Sequence, residues 1–347
     1  MALKTALVGY GYAGKTFHAP LLRSADGIAL TTVVSRDADK VHGDLPDVRV
    51  CDMAAMLADP EIALVVIATP NDTHAPLARE ALLAGKHVVI DKPFALNTRE
   101  AEALIALAKA QGRLLSIFHN RRWDADFLTL RRLITEGRLG EVKVLESRFD
   151  RFRPSVRPRW REGSGPGAGL WFDLGPHLLD QALQLFGEPD WVQADIAGQR
   201  EGAMSDDYFE VILGYGQRRV LLRAGSLVSH AVQRFTVHGT RASYVKSGLD
   251  QQESWLKAGL LPGQPGWGEG ERQGLLYNQH DEQIAEVAIP PEAGAYASYY
   301  PAVARAAAGR GINPVPADEA LRVMALLALA RDSAEQGRRL PCGSVSV

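Results

Sequence analysis

Three groups of residues in this chain have the types and spacing for chemistry. The first is Gly9-Tyr10-Gly11-Tyr12-Ala13-Gly14, the glycine spacing of a dinucleotide-binding turn. Gly9 permits the tight turn, Gly11 lets a pyrophosphate approach the backbone, and Gly14 lets the following helix pack closely on the strand. Tyr12 and Ala13 stand at the helix start, where backbone N–H groups face phosphate. The second group ends the run His87-Val88-Val89-Ile90-Asp91-Lys92-Pro93. An apolar run before a proline reads as a buried parallel strand, and it delivers Lys92 at the carboxyl edge where open α/β sheets bind ligands. A lysine there is a candidate to donate or accept a proton, against the plainer reading of a surface lysine in a turn.

The third group is Asp173 and His177 in Gly167-Ala168-Gly169-Leu170-Trp171-Phe172-Asp173-Leu174-Gly175-Pro176-His177. Pro176 suits a first helical position, so the sequence predicts a helix beginning at Pro176, with Asp173 before it and His177 in its first turn. The positive end of that helix would keep His177 neutral, as a base, and Asp173 would orient the imidazole or bind substrate. The alternative is a pair that only caps the helix. With Lys92 and a nicotinamide these residues suit alcohol oxidation. His177 takes the hydroxyl proton, and gives it back in reduction, while Lys92 stabilises charge on the reacting oxygen.

The elements that must position these groups alternate through the first 120 residues. Strands are predicted at Thr5 to Val8, Ile28 to Val34, Ala63 to Ala68, His87 to Ile90 and Arg113 to Phe118. Helical stretches lie between them, one capped by Asn97 with Glu100 and ended at Gly112; Pro20 should break the first near His18. Such alternation predicts an α/β, doubly wound, mainly parallel sheet. The second strand ends in Ser35-Arg36-Asp37, about where a carboxylate selects NAD by binding the ribose hydroxyls. Serine and arginine there favour NADP, and a shift of one residue onto Asp37 would favour NAD.

From residue 121 the pattern changes to longer strands joined by turns, among them Val142 to Phe152, Asp207 to Tyr215 and Arg219 to Leu227. The division is thus 1–120, a cofactor domain, and 121–347, an α+β domain with a large, mainly antiparallel sheet for substrate and oligomerisation. The open face of such a sheet calls for cover by another subunit, as a homodimer or homotetramer. Gly259 to Gly274 reads as a long loop, either lid or spacer, and Pro316 to Arg338 as a closing helix.

Composition narrows the function classes. The 347 residues are 46% apolar and 23% charged, as in globular proteins, and a net charge of −2 gives no general attraction to nucleic acid. Cys51 and Cys342 have no metal-ligand spacing, so neither a metal nor a disulfide scaffold is expected. With no signal-peptide pattern and no apolar run of spanning length, a cytoplasmic protein without membrane contact is expected.

The glycine turn, Thr69-Pro70-Asn71 with His74, Asp91-Lys92-Pro93 and the glycine-rich approach to Asp173 and His177 resemble the Gfo/Idh/MocA oxidoreductases over nearly the whole chain. The resemblance implies that Lys92, Asp173 and His177 form the catalytic set. It implies that Pro70 and Asn71 sit by the cofactor ribose, with Trp160 and Arg161 near the nicotinamide; Thr69, His74, Asp91 and Asn120 complete the cofactor candidates. Asp91 departs from the glutamate usual before that lysine. The stretches Gly9 to Leu21, His119 to Asp124 and Asp150 to Pro154 look most like the subgroup containing NADP-dependent scyllo-inositol dehydrogenases, which implies polyol or ketosugar chemistry. Arg121-Arg122 and Arg151 to Arg161 would clamp a hydroxylated or acidic substrate or form ion pairs; substrate contact is expected of Arg121 and a structural role of most others. A binding protein that senses the cofactor without turnover is the competing reading.

Overall fold

In the computed structural model, which describes residues 2–230, 232–268, 270–280 and 283–343, short runs such as Leu64–Ile67, buried at every position, become parallel strands covered on both faces. That is the pattern expected of a central strand in a doubly wound sheet. The chain divides into two compact units. One comprises residues 1–120, 252–267 and 295–321; the other comprises 121–251, 268–294 and 322–347.

The first unit is built on β1 (Leu3–Val8), β2 (Ile28–Val34), β3 (Arg49–Cys51), β4 (Leu64–Ile67), β5 (His87–Ile90) and β6 (Leu115–Ile117). Their order is β3-β2-β1-β4-β5-β6 and every pairing is parallel. Strand order reverses between β1 and β4, so the loops after these strands flank the switch point at the carboxyl edge. Pro20 acts as predicted: a π-helical turn, Gly14–His18, gives way to a short helix, Ala19–Arg23, with proline in its first turn. Asn97 caps Thr98–Ala110 by accepting the N–H of Glu100 at 2.9 Å, and its own amide donates to the Glu100 carboxylate.

A single cut at residue 120 does not describe this unit, because two later stretches return to it. The physical reason is the edge of β6. Ile117 N–H donates to Val315 O at 3.2 Å, Ser116 bridges Pro316, and Ser116 Oγ shares a hydrogen bond of 2.8 Å with Tyr299 Oη. Tyr299 and Tyr300 then pack on Phe118, with ring centroids 5.0 and 5.9 Å away. A bare edge strand is thereby covered. The predicted 259–274 loop is divided likewise: its stretch up to Trp267, whose ring lies 5.2 Å from that of Trp255, joins the first unit.

The second unit contains β7 (Val142–Arg148), β8 (Trp191–Ala197), β9 (Tyr208–Tyr215), β10 (Arg218–Gly225), β11 (Gln233–Gly239), β12 (Ala242–Ser247), β13 (Gly274–His280), β14 (Gln283–Ile289) and β15 (Leu340–Pro341). They form one sheet, β14-β13-β12-β11-β7-β10-β9-β8-β15, antiparallel except for β7 with β10. Phe209, Val211 and Leu213 alternate into the core, where Trp171 of the helix Leu170–Phe186 meets Phe209 at 4.8 Å. The hairpin β13–β14 is absent from the sequence expectation because the apolar residues of the largely exposed β14 fall on both of its faces and show no alternation. Among the described residues no helix is long and apolar enough to cross a membrane, and no group of three or more His, Cys, Asp or Glu side chains is placed to hold a metal.

Candidate active site

In the first unit the glycine turn joins β1 to the π-helical turn. Gly9 takes φ +95°, and a Cβ there would come within 2.7 Å of Ala68 O. A Cβ on Gly14 would land on the carbonyl oxygen of Gly9, whereas one on Gly11 would meet no protein atom within 4 Å. The three glycines therefore serve the turn, the helix approach and an open approach to the backbone, as a pyrophosphate requires. The bond from Lys15 N–H to Gly11 O at 2.9 Å opens the helical pattern, and the amides ahead of it have no helical acceptor. This cradle suits the diphosphate of a dinucleotide. Tyr12, exposed between Gly11 and Ala13, donates its hydroxyl to Glu253 at 2.7 Å, and Lys257 lies 5.6 Å from its ring.

At the end of β2 the two candidate cofactor selectors part. Asp37 caps the helix Ala38–Asp44 by accepting Lys40 N–H at 3.0 Å, and Ser35 Oγ accepts Asp37 N–H at 3.1 Å. Arg36 is exposed beside them. After β4, Thr69 and Pro70 lead into a 3-10 turn, Asn71–Thr73, fastened by Thr73 Oγ1, which contacts Thr69 Oγ1 and Pro70 O at 2.6 Å.

His74 is buried, with Nδ1 2.8 Å from Pro93 O and Nε2 3.0 Å from Thr69 O. Burial pushes its pKa down. It is a tie between the loop after β4 and the turn after β5, a positioning residue behind the cofactor edge instead of a surface of it.

Lys92 stands half-buried just past β5, followed by a cis bond to Pro93. Asp91 turns its short side chain back to accept Lys92 N–H at 2.8 Å, and its Oδ1 lies 3.8 Å from His18 Nε2. Burial pushes the Asp91 carboxyl up, but facing His18, with Lys92 and His74 nearby, outweighs that and holds it down at about 2. His18 is fixed in turn by Tyr300, whose hydroxyl is 2.6 Å from Nδ1. Asn120, also buried, begins the 3-10 turn after β6.

In the second unit the helix carrying Asp173 and His177 begins at Leu170, not at Pro176. Gly169, at φ +101°, stands before the helix, where a Cβ would fall on the Asp206 carboxylate. Asp206 accepts the N–H of Leu170 with its carbonyl at 2.8 Å and that of Trp171 with its side chain at 2.6 Å, which caps the helix six residues earlier than expected. Pro176 is therefore inside the helix. Asp173 lies in the first turn and His177 one turn further on, on one face of a continuous helix. The dipole argument for a neutral His177 lapses, because that effect fades beyond the first turn. His177 is buried.

Asp173 faces Arg151 Nη1 at 3.4 Å and Arg161 Nε at 3.8 Å, and Arg161 lies over the Trp160 ring at 4.5 Å. The candidates Trp160, Arg161 and Asp173 are thus brought together. Arg121 is different: it is buried, 3.3 Å from Asp124 and 4.6 Å from the Phe149 ring, which commits its guanidinium to packing and leaves a substrate role without support. Sequence reasoning passed over Glu162, Arg200 and Asp207, a buried charge chain with Arg200 2.8 Å from Asp207 and 3.0 Å from Glu162. The contacts join residues up to 38 apart, and the visible signal was the arginine-rich stretch itself.

Comparisons with known proteins agree with this geometry. Residues 3–119 match the model for the NAD-binding Rossmann fold of the oxidoreductase family GFO_IDH_MocA, and residues 131–342 match that for its C-terminal alpha/beta domain. The chain is 52% identical over 334 residues to the uncharacterized oxidoreductase YdgJ of Escherichia coli, covering 96% of each chain. It is 37% identical to the scyllo-inositol 2-dehydrogenase (NADP(+)) IolW of Bacillus subtilis, over 97% of this chain and 95% of that one. The solved structure of YPO2259 from Yersinia pestis superposes with a TM-score of 0.95 at 49% identity, covering 99% of this chain and 98% of that one. With a doubly wound cofactor unit, a sheet-based second unit and both domains of the family matched, the chain belongs to the Gfo/Idh/MocA oxidoreductases, with a nicotinamide-binding fold.

Proposed function

We propose that the protein interconverts a hydroxyl group of a cyclic polyol or sugar with the corresponding ketone, preferring NADP to NAD. The observation that carries this reading is the place of Lys92, half-buried at the carboxyl edge of the same sheet whose glycine turn suits a dinucleotide. The nicotinamide, when bound, supplies the hydride acceptor or donor. Lys92 donates to the reacting oxygen and stabilises the charge that develops on it. His177 exchanges the hydroxyl proton, and Asp173, one helical turn away, orients it or the substrate. The preference for NADP is supported by exposed Arg36 next to Ser35, with the Asp37 carboxylate occupied as a helix cap. The name of the Bacillus subtilis relative points the same way for substrate and cofactor.

A homodimer or homotetramer through the open face of the nine-stranded sheet, in the cytoplasm, belongs to the same proposal. The test is a steady-state assay over inositols, inososes and aldoses with NADP(H) and NAD(H). Turnover of a polyol or its ketone, faster with NADP(H), is the expected result. Tight NADPH binding with no turnover of any of them would replace this reading with a cofactor-sensing binding protein.

A further inference from the structure

The arginine-rich stretch 151–161 forms one wall of a narrow cleft of ≈ 20 Å³ in the second unit, with Asp173 in its lining. Five guanidinium groups line it, from Arg151, Arg153, Arg159, Arg161 and Arg200, against the four carboxylates of Glu162, Asp173, Asp206 and Asp207. Four of the five arginines have carboxylate partners: Arg151 and Arg161 face Asp173, Arg159 pairs with Glu162 at 2.6 Å, and Arg200 pairs with Glu162 and Asp207. Arg153 is without an ion-pair partner among the described residues.

Its backbone is nevertheless held from both sides. Arg153 N–H donates to Ser226 O at 2.7 Å, and Arg200 Nη1 donates to the carbonyls of Arg153 and Ser155 at 3.1 Å. A cation carried on so fixed a support is placed, not merely left on a loop. Burial, then the like charges of Arg151, Arg159 and Arg157, push the Arg153 guanidinium below its ordinary pKa, against a weaker opposing pull from Asp173. Burial also pushes the Asp206 carboxyl up, which weakens the negative side of this balance. A half-buried cation among other cations calls for an anion, and a guanidinium meets a carboxylate or phosphate through two parallel N–H donors.

We propose that this cleft is an anion subsite, with Arg153 as its anchoring cation, and that the substrate carries an acidic group, a carboxylate or a phosphate, besides the reacting hydroxyl. The inference rests on the polyol or sugar reading above and narrows it to acidic members of that class. Because Asp173 lines the same cleft, the anion belongs to the molecule being turned over and not to a remote effector.

The experiment compares matched pairs under NADP(H): D-glucose with D-glucuronate and D-glucose 6-phosphate, and myo-inositol with myo-inositol 1-phosphate. The acidic members should be favoured in kcat/KM, mainly through KM, by about 10- to 100-fold, the worth of one charge-assisted hydrogen bond. Arg153→Met should erase that ratio and Arg153→Lys should restore part of it, with thermal unfolding of both variants checked against the parent. Which of carboxylate or phosphate gains more identifies the acidic group. Equal or better use of the neutral members, or a ratio unchanged in Arg153→Met, overturns the subsite. If no sugar or polyol of either kind is turned over, the function proposed above fails, and calorimetric titration still decides the cleft. Binding of D-glucuronate or inorganic phosphate that Arg153→Met abolishes supports the subsite, and the absence of any such binding overturns it.

Discussion

The carboxylate of Asp91 accepts the backbone N–H of Lys92 at 2.8 Å, so the residue before the candidate catalytic lysine holds that lysine's own peptide in place. A longer carboxylate at this position would have to fold its extra methylene to make the same bond. The short side chain thus serves the turn and faces His18 at 3.8 Å.

This pair makes stability depend on acid. The Asp91 pKa is lowered from 3.8 to about 2 in the fold, so its contribution is complete above about pH 4 and is lost as the pH falls toward 2. Its size is roughly 2 kcal/mol, from a shift of nearly two units. Asp91→Asn should be less stable than the parent by about that amount near neutrality, and the gap should close between about pH 4 and pH 2. Urea unfolding across that range measures it. A gap that stays constant down to pH 2 would mean that the Asp91 charge is not what stabilises the turn.

Lys92→Ala tests the chemistry assigned to the end of β5. Loss of a donor aimed at developing charge should lower kcat by about 100-fold or more, while NADPH affinity changes by only a few-fold. Single-turnover kinetics with fluorescence titration of NADPH separates the two. Undiminished turnover would remove Lys92 from the catalytic set.

Arg36→Ala tests cofactor choice. Removing a guanidinium from the 2′-phosphate should weaken NADPH by roughly 10- to 100-fold and leave NADH nearly unchanged. Equal losses for the two cofactors would contradict the assignment, and Asp37→Ala should instead cost about 1 kcal/mol of stability, because its carboxylate caps the next helix.

Two glycines of one motif should respond differently. Gly9→Ala puts a Cβ at φ +95° against Ala68 O, so it should cost roughly 2 kcal/mol or more of stability as well as cofactor binding. Gly11→Ala meets no protein atom and should leave thermal unfolding nearly unchanged while NADPH binding weakens, since the added methyl stands where phosphate would approach. Parallel melting curves and NADPH titrations decide, and Gly11→Ala with undisturbed binding would remove the phosphate from this turn.

These contrasts mark how far the sequence could be read. Local signals carried well: alternating apolar runs became β1, β4 and β5, Asn97 did cap its helix, and Pro20 did follow a break. The start of the helix Leu170–Phe186 was misplaced because its cap is Asp206, distant in sequence, and because Pro176 is accommodated inside the helix. The role of His74 was misread for a similar reason. Its two carbonyl partners, Thr69 and Pro93, become neighbours only after two strands have paired, and no pattern near His74 announces them. The β13–β14 hairpin escaped because β14 carries apolar residues on both faces, which leaves none of the alternation on which recognition of a half-buried strand rests.

The return of residues 295–321 to the first unit bears on how the protein is made. Ser116 must wait 183 residues for Tyr299, and His18 must wait 282 for Tyr300. During synthesis the edge of β6 is therefore left uncovered long after the strands beside it have left the ribosome, a state open to edge-to-edge pairing with other nascent chains. A fragment of residues 1–120 would inherit the same exposure permanently. The finished cofactor edge thus depends on a segment translated much later, and a message cut short before residue 299 yields a glycine turn and a lysine on a sheet that was never closed off.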